Sequence, residues 1–155
     1  MPVFLTSDAA KAYSKAAKLA EFQLFDYHRA SLNYIEAALC LCNISNIRAC
    51  PYFTKSIESL IYSADLYSAI FLSMRCGYIY GKKFFDFNQS RKYFKLADRL
   101  RLKYDIDHKC ILTNDDFRDI RKDNGQDISK WRQIIRSNKT NCRRENKPLG
   151  NSRHI

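Results

Sequence analysis

Glycine and proline are scarce in this chain, at four and three residues out of 155. Four glycines leave no room for a phosphate-cradling loop, whose backbone must approach its ligand closely at several successive positions. Histidine is almost as sparse: His28, His108 and His154 are scattered, and none stands by a Cys or Ser in a nucleophile arrangement. No stretch of eighteen apolar residues free of charge exists, so no membrane span and no membrane partner is expected. The N-terminal Met1–Asp8 lacks a basic leader segment and carries only a three-residue apolar run, which is not a secretory signal. An intracellular chain follows, with Cys40, Cys42, Cys50, Cys76, Cys110 and Cys142 as reduced thiols. Cys40 and Cys42 stand two apart, about 200° round a helix, so they cannot share one metal ion and are read as small core residues. These absences argue against an enzyme and leave no expected cofactor or metal.

What is present is apolar and aromatic. Hydrophobic residues make up 46% and aromatics 14%, enough for one globular domain that needs no metal or disulfide to hold it. The net charge of +11 is unevenly spread. Residues 1–81 hold 7 Lys/Arg against 6 Asp/Glu, whereas residues 82–155 hold 20 against 10. The basic half suits an acidic partner, nucleic acid or an acidic protein segment, and equally suits a merely solvated surface.

Apolar residues recur at three- and four-residue steps throughout residues 8–104, so the fold class is all-α. An Ala-rich helix is expected over 8–25, capped by Ser7 or Asp8. A second starts after Asp26, carries Leu32, Ile35, Leu39 and Cys42 on one stripe, and ends in the Asn43–Asn46 run. Pro51 suits the start of a third, where its missing amide costs nothing. From Asp65 to Phe87 the pattern is apolar on most sides, which marks a central helix. A single helix from Phe53 to Phe87 would be unusually long, so a break is expected near Ala64–Ser68 although no Gly or Pro stands there. Gly77 and Gly81, four apart, suit close packing on a neighbouring helix. Asp86 or Asn88 caps a last helix to Tyr104, with Tyr93, Ala97, Leu100 and Tyr104 on one face. Residues 1–104 thus form a helical interaction domain, and 105–155 a basic linker and tail with a short helix around 127–136.

Three helices share one device: Tyr13 with Ala17, Tyr34 with Ala38, and Tyr93 with Ala97, each pair on one face. A large residue beside a small one is how antiparallel helices of tetratricopeptide type interlock, so a tetratricopeptide-like stack of about five antiparallel helices is expected. Two surfaces are candidates for function. Tyr34, Tyr67, Phe71 and Tyr78 would mark a protein interface if their rings are exposed. Lys82, Lys83, Arg91, Lys92, Lys95, Arg99, Arg101 and Lys103 form a basic stripe for nucleic acid or an acidic partner. A generic peptide-binding module is a further reading, favoured if a groove lies beside Tyr34.

The ordered set Ala17-Lys-Leu, Arg29-Ala30, Tyr34-Ile-Glu-Ala-Ala38-Leu, Cys42-Asn, Pro51-Tyr-Phe, Ser56-Ile-Glu, Leu60-Ile61, Arg75-Cys76 and Ser90-x-Lys92-Tyr93-x-Lys95 resembles the C-terminal homology domain of the AF-four/FMR-two (Lilliputian-like) transcription elongation scaffolds over residues 11–104. That resemblance implies a nuclear module, with the cytoplasm as the alternative, that dimerises with itself or a paralogous helical domain. Its partners would be transcription elongation assembly proteins, with RNA or DNA as further ligands.

Overall fold

The structure is a computed structural model and describes residues 3–106. Five helices run in order: α1 (Val3–Phe22), α2 (Tyr27–Cys42), α3 (Asn46–Tyr62), α4 (Leu66–Lys82) and α5 (Phe87–Tyr104). Turns of three or four residues join them, and each helix packs antiparallel on the next. This is a tetratricopeptide-like helical stack, as the Tyr/Ala device implied. The tail and the short helix expected around 127–136 lie outside the described residues.

The turns explain how so few glycines suffice. Phe25, Ala64 and Phe85 each adopt a left-handed backbone at φ 51°, 59° and 54°, a conformation normally left to glycine. An aspartate follows each of them and caps the next helix: Asp26 accepts from the Arg29 amide at 3.0 Å, Asp65 from Ser68 at 3.2 Å, and Asp86 from Gln89 at 3.0 Å. Two of these turns are alike bond for bond. The Leu24 amide reaches the Leu19 carbonyl and Asp26 reaches Ala20; sixty residues on, Phe84 reaches Ile79 and Asp86 reaches Tyr80. The expected break at Ala64–Ser68 is therefore real, made by Ala64 and Asp65.

Two expected helix starts are displaced. α1 begins at Val3, so Ser7 and Asp8 lie within it; Asp8 reaches Lys11 one turn on, at 3.4 Å, instead of capping. α3 begins at Asn46, five residues ahead of Pro51, because Ser45 accepts from the Arg48 amide and nucleates the helix there. Pro51 then sits in the second turn, where it forgoes its own backbone bond on an exposed face.

The core is nearly continuous from α2 to α5. Ile35, Ala38 and Leu41 of α2 meet Phe53, Ile57 and Leu60 of α3, and then Ile70, Leu72, Cys76 and Tyr80 of α4. Tyr93, Ala97 and Leu100 close it from α5. As its all-round apolar pattern required, α4 is the most enclosed helix. At the α2–α3 seam the Ser31 and Ser56 hydroxyls lie 2.8 Å apart, and Ser56 also donates to the Ser31 carbonyl at 2.9 Å.

The paired glycines bring α4 and α5 together. A methyl group at Gly77 would meet the Phe94 ring at 3.0 Å, and one at Gly81 would meet the Ser90 hydroxyl at 2.9 Å. That hydroxyl donates to the Gly77 carbonyl at 2.6 Å, so the hairpin is latched as well as close. A Gly77→Val substitution forces the ring outward and is expected to cost about 1–3 kcal/mol. Urea unfolding checks this, with the midpoint lowered at unchanged slope.

Candidate functional site

The first three helices enclose a groove of about 380 Å³, lined by Ser14 and Lys18 of α1, Tyr34 and Leu41 of α2, and Arg48, Pro51, Tyr52 and Lys55 of α3. Small residues make it. Ala17, Ala20 and Ala30 let α1 approach α2 closely near the α1–α2 turn, and they surround the inner edge of Tyr34. The Tyr34 ring forms the floor, tilted against Tyr52 at 6.5 Å between centroids. Its hydroxyl donates to Glu21 Oε2 at 2.6 Å, which fixes the ring, and burial together with that carboxylate pushes its pKa up. A raised phenol pKa keeps Tyr34 neutral.

The rim is positive. Lys18, Arg48 and Lys55 are exposed on it, and the Lys55 ammonium lies 5.6 Å from the centre of the Tyr34 ring. No carboxylate lines the groove itself; Glu21 beside it is engaged by Tyr34. An apolar and aromatic floor under separated cations is chemistry for holding an acidic amphipathic segment. Nothing in it resembles a nucleophile with its base.

The residues singled out from the sequence fall into different places. Tyr34 is buried yet forms the groove floor, so it contributes shape instead of a free ring. Phe71 is in the core, and Tyr67 and Tyr78 are half-buried, so α4 presents no open aromatic patch. The basic stripe is on the surface: Lys82, Lys83, Arg91, Lys92, Lys95, Arg99 and Lys103 are exposed, while Arg101 is half-buried and pairs with Asp98. Lys18, Arg48 and Lys55 carried no signal in the sequence, because they are single cations on three stretches that only the turns bring together.

Among the described residues, Cys40 and Cys42 pack against the core, as their spacing implied. Cys76 is fully enclosed, and Cys40, Cys42 and Cys50 are half-buried. The Cys50 sulfur lies 3.3 Å from the Tyr93 hydroxyl, across α3 and α5. Burial pushes the Cys42 thiol up from 9.0 to about 11 and also raises Cys40 and Cys76. Tyr80 and Tyr93 move the same way through burial. A group whose folded pKa is raised contributes stability below its unfolded value and loses it as pH climbs to the folded one. The domain is therefore expected to hold its melting temperature up to about pH 9 and to lose it steadily towards pH 11. Thermal melts along an alkaline pH series check this; a flat profile would remove buried thiols and phenols as its cause.

Residues 5–135 match the family model described as soluble NSF attachment protein, SNAP. No curated protein and no solved structure matches the chain. The match overturns the resemblance to AF-four/FMR-two elongation scaffolds, and the nuclear placement falls with it, since soluble NSF attachment proteins act in cytoplasmic membrane trafficking. The physical reason is plain in the helices: the motifs that carried the resemblance, Tyr34-Ile-Glu-Ala-Ala38, Ser56-Ile-Glu and Leu60-Ile61 among them, meet packing demands common to any tetratricopeptide-like stack. They report architecture, and families with one architecture share them. The coarser reading, a helical protein-interaction module, accords with the family.

Proposed function

This chain belongs to the soluble NSF attachment protein family, and from that premise we propose that it is a non-enzymatic adaptor whose α1–α3 groove holds an acidic helical segment of a protein partner in an assembly that attaches NSF. The observation that carries this reading is the groove itself: an aromatic floor fixed by the Tyr34–Glu21 bond beneath Lys18, Arg48 and Lys55. A groove of about 380 Å³ has room for a few apolar side chains of a partner helix, and an acidic face on that helix matches the rim.

The test uses the full chain, an acidic amphipathic helical peptide and purified NSF. Fluorescence anisotropy is expected to show peptide binding that weakens steeply with added salt. Beads carrying the chain with its acidic partner are expected to retain NSF. If the peptide fails to bind even at low salt, the groove is not the docking site. If it binds but NSF is never retained, the module binds peptides without serving as an attachment adaptor.

A further inference from the structure

The outer face of α5 concentrates positive charge. The helix holds six Lys/Arg against one Asp. Tyr93, Ala97 and Leu100 are buried and Leu96 packs partly against the core, so these apolar residues turn inward. Arg91, Lys92, Lys95, Arg99 and Lys103 remain exposed. Four of the five, Arg91, Lys95, Arg99 and Lys103, fall at steps of four residues, which sets them along one ridge. At the rise of an α-helix that ridge is about 18 Å long.

Local electrostatics do not explain the ridge. Like charges four apart repel along a helix and weaken it, and here three such steps follow one another. Among the described residues, none of the five cations has a carboxylate within ion-pair distance. Asp98, the one acid on the helix, is engaged by the half-buried Arg101. The Lys103 ammonium lies 5.2 Å from the centre of the Tyr104 ring, beside it in the chain. The helix itself is firmly held: the Ser90 hydroxyl donates to the Gly77 carbonyl at 2.6 Å, and the Tyr93 ring packs on Tyr80 at 5.5 Å between centroids. The cations therefore stand at fixed intervals on a rigid support.

We propose that the α5 ridge is a contact for the phosphate backbone of a nucleic-acid duplex. Charge complementarity selects the occupant. Each strand of a duplex carries one phosphate per about 3.4 Å of axis, so the ridge spans about five phosphates of one strand and meets them with its cations. An acidic amphipathic helix would want an apolar seam beside the charges, and the ridge has none. The exposed Phe87 and Leu102 stand near its two ends, about 22 Å apart along the axis, too far to form one. A single strand would want rings on which its bases stack, and no exposed ring stands between Arg91 and Lys103. The contact goes beyond the adaptor reading and stands on different residues from the α1–α3 groove, whose aromatic floor supplies the apolar part that the ridge lacks.

The test is fluorescence anisotropy of the full chain with a short labelled DNA duplex over a salt series. Binding is expected at about 50 mM salt, with log affinity falling against log salt at a slope of about −4.5. The K95Q/R99Q variant is expected to make that slope shallower by about two and to weaken binding on the order of tenfold per charge, equally for unrelated sequences. Its substituted positions are exposed, so its circular dichroism is expected to match the parent's. Removing two exposed cations from α1 instead, as K11Q/K15Q, is expected to leave the slope unchanged, which separates the ridge from net charge. K95Q/R99Q is also expected to hold the acidic helical peptide as the parent does, which separates the ridge from the groove. No binding at low salt, or a slope that K95Q/R99Q leaves unchanged or K11Q/K15Q alters equally, would overturn the proposal. So would tighter binding of a single strand than of the duplex, or an acidic peptide that is bound by K18E/K55E and lost by K95Q/R99Q.

Discussion

A Tyr80→Ala substitution is expected to bring the domain close to unfolding. Tyr80 is 1% exposed and its ring touches three others, with centroids 6.4 Å from Phe53, 5.1 Å from Phe84 and 5.5 Å from Tyr93. It is the side chain at which α3, α4 and α5 meet. Its hydroxyl also donates to the Asn46 carbonyl in the first turn of α3. Truncating a buried aromatic to alanine costs about 3–5 kcal/mol through lost transfer energy and the cavity left behind. A domain of this size commonly has only about 5–15 kcal/mol in total. Urea denaturation followed by circular dichroism measures the loss. Tyr80→Phe separates the two causes, because it keeps the ring and gives up only the bond, for about 1–2 kcal/mol. If Tyr80→Ala lowers stability no more than Tyr80→Phe, the packing account of this residue is wrong.

The second large effect belongs to the groove. Reversing Lys18 and Lys55 to glutamate is expected to weaken an acidic helical ligand about a hundredfold, since placing like charges against each other costs several kcal/mol beyond the attraction lost. Both side chains are exposed and neither forms an ion pair among the described residues, so the fold is expected to survive and the melting temperature to change little. Anisotropy titrations at two salt concentrations give the measurement. The parent's affinity should fall with salt, while the residual affinity of K18E/K55E should be nearly salt-independent. An unchanged affinity would move the docking site off this groove.

Much of the architecture was legible because helices announce themselves locally. Asp26 and Asp86 each stand one residue before a helix, a position where a carboxylate accepts a first-turn amide at little cost. The paired Gly77 and Gly81 had a packing meaning that the α4–α5 contact bears out. Other features were hidden. Tyr80 and Tyr78 stand two apart in one apolar helix, and periodicity cannot choose between them when most sides are apolar. The neighbours α3 and α5 make that choice. The left-handed Phe25, Ala64 and Phe85 leave no sequence mark, since glycine or asparagine is the usual sign of such a turn.

The resemblance to elongation scaffolds failed for a related reason. Its motifs were the residues that pack helix on helix, and those recur wherever antiparallel helices of similar length are stacked. By itself the sequence determined the helical class, the approximate helix count and the caps at Asp26 and Asp86, all of which rest on contacts within a turn or two of the chain. Only the tertiary structure decided which rings are buried and which cations share a rim. Lys18 and Lys55 lie thirty-seven residues apart in sequence, and only the close approach permitted by Ala17, Ala20 and Ala30 sets them above one tyrosine. A groove between helices is a relation among distant residues, and no local pattern encodes it.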